Sequence, residues 1–531
     1  MNIDLDKNTH HHLTKELWDK IGRHHHHGIA LPLFSLRSKK GCGVGEFLDL
    51  LQLVDFCTEV GLDVIQLLPL NDTGRESSPY NAISSCGLNP IFLSLWALPY
   101  LDNFPDLKLE LVLFNKYKRL QKFPYNAIQH AKENFLRKYF ENCFKFFEKD
   151  PIFLEFKEKQ NWVKPYALFK VFKSRFAHKN WSQWQKKLIN PSHRLLKRLY
   201  EEEDHNMNFY IFTQFLCHNQ LKSVKTYANQ KGVFLKGDIP ILISPESLDV
   251  WLYREDFTLN YSAGSPPDMF SEEGQNWGFP LFQWDIVEKN EFSWWKSRLK
   301  TASDFYDIFR IDHIIGFYRI WAIKRGEKAV NGSYIPFQRW AAINQGEMIL
   351  NHLVSATKML PIGEDLGLEV GNIRQSMLKM GIPGTRVPRW ERHFATDNSF
   401  IPYDEYPPVT LTTVSTHDSE TLEQWWVNNP DDVKEFCDHR NWTYSPQLTK
   451  ENRYNLLKDS HHTASLFHIN PLGEYLALFP DLVWKNPNDE RINLPGTMLP
   501  SNWSYRTRPT LEDIVNHKDL KSTMKSLIKP S

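Results

Sequence analysis

The chain has 531 residues, 41% hydrophobic and 24% charged, a make-up that supplies a large globular core and excludes a low-complexity or fibrous protein. With 64 basic against 63 acidic residues the formal charge is +1, so no long-range field draws nucleic acid or an anionic membrane, and a neutral substrate is expected. Six scattered cysteines without a C-x-x-C pair predict reduced thiols and a cytoplasmic setting instead of a disulfide framework.

Residues 1–27 form a His-rich segment with neither a basic start nor an apolar stretch, so no signal peptide is expected, and no run in the chain is apolar enough to span a bilayer. The segment holds His10, His11 and His12 and then His24, His25, His26 and His27. Consecutive histidines do not present the fixed faces of a structural zinc site, and no cysteine pair partners them, so no metal is assigned. Residues 28–36, GIALPLFSL, read as a buried strand. A helix follows over about 45–60, where Phe47, Leu50, Leu51, Val54 and Cys57 recur at helical spacing, and Gly61 stops it. DVIQLLPL (63–70) is a second strand that ends in the polar loop NDTGRESSPYN.

From 100 to 205 the texture changes to Lys, Phe, Tyr and Trp with few β-branched runs, which predicts a largely helical insertion. A helix over 209–230 leads to the strand VFLKGDIPI; helices near 292–303, 345–358 and 370–380 precede FYDIFRID, MLPIGEDLG and GIPGTRV; VTLTTVSTHD is a strand with a polar end. Alternating strands and helices imply a parallel sheet with helical crossovers, in either an open or a closed barrel form. GCGVGEF approaches a dinucleotide-binding loop, but its third glycine is mis-spaced. Aromatics make up 14% of the chain; flat rings suit sugar faces and equally fill large cores.

Four strands end in an acid: Asp238 in GDIPI, Asp312 in FRIDH, Glu364 in GEDLG and Asp418 in STHDSE. In a barrel such residues converge on one mouth, where active sites of that fold lie. Cleaving an acetal requires a carboxylic acid to protonate the leaving oxygen and a carboxylate to support the oxocarbenium-like centre. Arg310, two residues before Asp312, points to the same side of its strand and would keep that acid ionised. Spacing alone does not distribute the roles.

The blocks SPYNAISSCGLNP, GDIPI, AGSPPDMFSEEGQNWGFPLFQWD, FRIDHIIGF, GEDLG, STHD and NLPGTMLPSNWSYR together resemble the amylomaltases, or 4-α-glucanotransferases, relatives of the α-amylases, from about residue 28 to 510. The resemblance implies an α/β TIM barrel, begun by 28–99, interrupted by a helical insertion over 100–205, completed by 206–531 and carrying loop insertions. It implies Asp312 as nucleophile, Glu364 as acid/base and Asp418 as transition-state stabiliser. Arg310 would orient the nucleophile, His313 and His417 would bond sugar hydroxyls, and Tyr80 would contact substrate. Asp268 and Trp277 match a loop arching over the cleft, and Asn502 would lie near the substrate. The implied reaction transfers α-1,4-glucan segments between malto-oligosaccharides through a covalent glycosyl-aspartate, with no cofactor. A hydrolase of the same clan and a non-catalytic glucan-binding scaffold are the alternatives. STHDSET in place of THDNDT, WGFP in place of WGNP, and the acid absent after GDIPI are departures that bear on substrate length and acceptor preference.

Overall fold

The computed structural model describes residues 13–267, 272–367, 371–394 and 396–528. Eight parallel strands close into a barrel: β1 (His26–Leu31), β2 (Val64–Leu67), β3 (Phe234–Pro240), β4 (Ile308–Asp312), β5 (Leu360–Gly363), β6 (Gly384–Arg386), β7 (Thr410–Thr412) and β8 (Phe467–Pro471). Each pairs with the next in chain order, and β8 closes on β1. Helices run between successive strands, among them Asp49–Val60, Ser293–Ser303, Arg339–Ser355 and Gly371–Lys379. This is an α/β TIM barrel. The helix Asp49–Val60 ends where Gly61 takes a left-handed φ of 83°, a conformation costly for residues with a Cβ.

Side chains two apart on a strand share a face, and adjacent strands in register present that face together. Ile308, Arg310 and Asp312 therefore line the barrel interior in successive layers. The lower layers are apolar: Val64, Ile308, Leu360, Ile362, Phe467 and Ile469 form one cluster with Trp18 and Ile21. The helix Lys15–Ile21 thus plugs the base, held by the Trp18 indole N–H on the Gly381 carbonyl at 2.8 Å. Above, Lys236 donates to Gln66 Oε1 at 2.6 Å, its register partner on β2. Polarity rises toward the mouth.

Between β2 and β3 lie helices Pro105–Glu110, Tyr125–Cys143, Pro151–Lys159, Val163–Arg175 and His193–Glu202, and then the 27-residue helix Asp204–Gln230. Phenylalanines dominate this packing. The Phe212 ring lies 4.9 Å from Phe147 and 5.9 Å from Tyr139, and Phe215 lies 5.3 Å from Phe153. Much of the aromatic content is thus core filling.

Several elements differ from those expected. β1 begins at His26 and stops at Leu31, because Pro32 and a 3₁₀ turn over Leu33–Ser35 break the run GIALPLFSL. Strand β8 was not anticipated. Its outward positions are the polar His468 and Asn470, which bond the Ser460 carbonyl at 2.8 Å and the Ser460 hydroxyl at 2.9 Å. A four-stranded antiparallel sheet outside the barrel, formed by Tyr261–Ser265, Gln275–Asn276, Ile320–Lys324 and Ser333–Ile335, was also not anticipated. All six cysteines are buried and unlinked. No described helix is long and apolar enough to cross a membrane.

Candidate active site

Register brings Asp238 and Asp312 together at the C-terminal mouth, whereas Asp418, expected to end a strand, arrives in a turn because β7 stops at Thr412. Arg310 on β4 sits opposite Asp238 on β3, and its guanidinium Nη1 donates to both oxygens of Asp238, at 3.0 and 2.9 Å. The same Nη1 reaches Asp312 Oδ1 at 2.7 Å, and Nη2 stands 3.9 Å from Glu364 Oε2. One buried arginine thus ties three carboxyls together. Burial opposes its charge, but Asp238 and Asp312 outweigh that and raise its pKa further.

Glu364 follows β5 directly. Its Oε2 accepts the backbone N–H of His313 at 2.9 Å and its Oε1 that of Leu366 at 2.9 Å. Burial pushes this carboxyl up to about 7; Arg310 opposes the rise and the neighbouring Asp312 charge adds to it. His313 holds a left-handed φ of 53°, local strain of a kind that gathers at functional sites. That turn aims its N–H at Glu364. Burial pulls the His313 imidazole down to about 4, so it is neutral near pH 7.

Across the mouth, His417 Nε2 lies 3.2 Å from Asp418 Oδ2 and 2.9 Å from the Tyr80 hydroxyl, which itself donates to Asp238 Oδ2 at 2.8 Å. Burial works against the charge on His417, but Asp418 prevails and raises its pKa. Burial also opposes ionisation of Asp418, yet His417 and a 2.6 Å bond from the Asn493 amide hold it at about 2. Near pH 7 the mouth therefore offers a carboxyl poised to carry a proton and a carboxylate kept ionised. That is the acid and anion pairing that acetal cleavage needs.

The structure brings Tyr80, Arg310, Asp312, His313, Glu364, His417 and Asp418 into this one network. Trp277 joins it from the outer sheet, its ring 5.0 Å edge-on from His313, with the indole N–H on Gln275 at 3.2 Å. Asp268, with Met269 and Phe270 of the same loop, lies outside the described residues, as do His10, His11 and His12. The Asn502 amide donates to Thr497 O at 3.0 Å and accepts from Leu494 N at 3.2 Å, so it ties the 494–502 loop together. Trp503, absent from the sequence reading, packs 5.5 Å from Tyr80 and 6.0 Å from His417. Its neighbourhood in SNWSYR was the available signal. Asn493 had none, since a lone amide in a loop is not distinctive.

At the opposite pole His24, His26 and Asp63 bring three ligating atoms within 4.8 Å of one another. Both ring nitrogens of His26 are already engaged there, Nδ1 with Asp63 Oδ2 at 2.6 Å and Nε2 with the Gly22 carbonyl at 3.1 Å.

The family model described as 4-alpha-glucanotransferase matches residues 31–512. A 4-alpha-glucanotransferase of Chlamydia pneumoniae is 43% identical over 530 residues, covering 99% of each chain. One of Clostridium butyricum is 30% identical, covering 88% of this chain and 93% of its own. Among solved structures, amylomaltase from Streptococcus agalactiae in complex with acarbose superposes with a TM-score of 0.79 at 25% identity, covering 95% of this chain and 98% of that one.

Proposed function

The chain belongs to the 4-α-glucanotransferase family, and we propose that it transfers glucan segments through a covalent bond to Asp312. The observation that carries this reading is the Arg310 clamp, which holds Asp312 against a guanidinium while Glu364 beside it stays protonated up to about pH 7. Asp312 attacks C1 of an α-1,4-linked glucose as Glu364 gives its proton to the departing oxygen. The reducing-end fragment leaves and a β-glycosyl ester remains. Glu364, now a carboxylate, takes the proton of an acceptor 4-hydroxyl, whose oxygen attacks C1 and releases Asp312 with an α-1,4 bond restored. Asp418, Tyr80 and His417 grip the ring that distorts, and do so more strongly in the transition state than in the ground state.

Short α-1,4-linked malto-oligosaccharides are the proposed donors and acceptors, bound with no nucleic acid or membrane. The proposed setting is the cytoplasm, which suits six unpaired thiols. Residues 28–99 and 206–531 are taken as one catalytic barrel, and 100–205 as an insertion that buttresses it. Trp277 and the hairpin around it are taken as a lid over the sugar beside His313.

Glu364→Gln tests the roles. It should abolish turnover of maltotriose yet accept α-glucosyl fluoride, whose leaving group needs little protonation. Peptide mass mapping should then find the trapped glucosyl group on Asp312; an adduct on any other residue overturns the scheme.

A further inference from the structure

Beside the mouth, and separate from it, lies a second cavity of about 420 Å³, walled by segments that follow β1, β7 and β8. None of Asp312, Glu364, Asp418, His417 or Tyr80 lines it. Its size falls in the range of about 300–1,000 Å³ common to small-molecule sites, which combine mostly apolar walls with a few placed polar groups.

Those polar groups are present and partly unused. Tyr505 is 4% exposed, and its hydroxyl interacts with the neighbouring Glu490 carboxyl without forming a well-aligned hydrogen bond. A buried polar atom in that state is costly unless something bonds it. Gly473 keeps the space above it open: a Cβ there would stand 3.3 Å from the hydroxyl. Glu490 takes the Trp484 N–H at 2.6 Å, and burial pushes its carboxyl up to about 7, so it also donates below neutral pH. Of the charges that line it, Arg453 pairs with Glu474 at 3.2 Å and with Glu423, one cation against two carboxyls, while Lys450 and Lys485 are exposed. The vacant bonding capacity is therefore that of neutral hydroxyl-like groups. An anionic ligand would find no unpaired cation in the buried part of the wall, where Arg453 is already held by two carboxyls.

The cavity shares a wall with the catalytic centre. Along residues 490–493, which follow the helical turn ending at Glu490, the side chains divide between two directions. Glu490 and Ile492 face the cavity, while Arg491 and Asn493 reach Asp418, at its carbonyl (3.4 Å) and its Oδ1 (2.6 Å). On the other side Thr416 and Ser419 line the cavity, and the Thr416 hydroxyl accepts the Asp418 N–H at 3.3 Å.

We propose that this cavity is a second carbohydrate site, binding a neutral mono- or disaccharide such as glucose or maltose against Tyr505 and Glu490 and reporting its occupancy to Asp418 through the 490–493 wall. The choice of sugar rests on the transferase reading, because transfer between short glucans leaves small sugars around the enzyme; the cavity itself does not.

The test uses the full chain carrying Glu364→Gln, so that no sugar is turned over. Calorimetric titration with maltose should count two sites per chain, and a maltose-soaked crystal should show one sugar over Asp312 and a second beside Tyr505. Tyr505→Phe, which keeps the ring and removes the hydroxyl, should weaken the second site about tenfold. Ala477→Trp, which fills the cavity, should abolish it. In both variants the sugar over Asp312 should remain but bind with a shifted affinity, and an unshifted affinity would overturn the link to Asp418. One site per chain, or a second site indifferent to Tyr505→Phe, overturns the proposal even if Ala477→Trp fails to fold. Failure of the transferase reading would show separately, as an unaltered Glu364 protein that does not convert maltotriose into longer and shorter glucans.

Discussion

Of the groups around the cleft, Glu364 has the charge state most finely set by its surroundings. A carboxyl pushed up to about 7 by burial is protonated below that pH and ionised above it, so in the proposed acid role its donation to the leaving oxygen should fail as pH rises through 7. The profile of kcat/KM for maltotriose should therefore fall on an alkaline limb with a midpoint near 7. Because Glu364 and Asp312 are coupled, that limb belongs to the pair. Where chemistry limits the rate, a profile level to pH 9 would remove Glu364 from the acid role. Asp312 and Glu364 were legible in the sequence because they stand at or just past a strand end, and Arg310 announces its contact with Asp312 by standing two positions before it. Asp418 was legible only through the STHD block, since β7 ends at Thr412 and Asp418 lies in a turn beyond it. Trp503 and Asn493 were not, because they arrive from a loop whose path no periodicity encodes. Asn502 shows the converse: it lies in a recognisable block, yet its amide is occupied by its own loop.

At the scale of elements, two parts of the fold carry consequences of their own. Trp277 packs edge-on against His313 from beside the outer sheet; in the proposed lid role it would exclude water from the proposed glycosyl-enzyme while an acceptor hydroxyl is held in line. Such positioning is worth effective molarities of about 10⁵ M or more, enough to outcompete solvent. Trp277→Ala should raise free glucose released per transfer event while the protein stays folded; equal loss of both reactions would mean the hairpin is only scaffolding. The second part is the base of the barrel. Of the histidines read as an N-terminal segment, His26 and His27 open β1 and His25 stands just before it; His27 Nδ1 meets His461 Nδ1 at 2.9 Å and His25 Nδ1 meets His468 Nε2 at 3.0 Å. Nothing in a run of histidines distinguishes a solvated tail from a strand, and their partners lie over 400 residues away along the chain. Burial pulls His27 down to about 2 and His461 and His468 well below the ordinary value. All three are neutral when folded but bind protons when unfolded. Their contribution is complete above pH 6.5 and declines as pH falls below it, by roughly 1.4 kcal/mol per group for each pH unit. Melting temperature should drop steeply between pH 6.5 and 5; an unchanged melt across that window would show the cluster accepts protons without cost.

The whole molecule alternates two kinds of construction, a barrel closed by non-local strand pairing and a helical block inserted between β2 and β3. Alternation of strand and helix made the parallel sheet readable and the family resemblance implied its closure into a barrel, whereas β8 and the outer sheet were obscured, the former by polar outward positions and the latter by strands of two to five residues. The six buried, unlinked thiols are spread over both constructions: Cys57 on the helix packed outside β1 and β2, Cys143 at the end of an insertion helix, Cys217 in the middle of the long helix between them. Each is therefore a silent clock that starts only when its surroundings open. Under a slow trickle of thiol-reactive label in native buffer, the order of modification would map which parts breathe independently and which wait for global unfolding. Cys143 should react first and Cys57 last. If all six react at one rate that matches the unfolding rate, barrel and insertion open as a single cooperative unit.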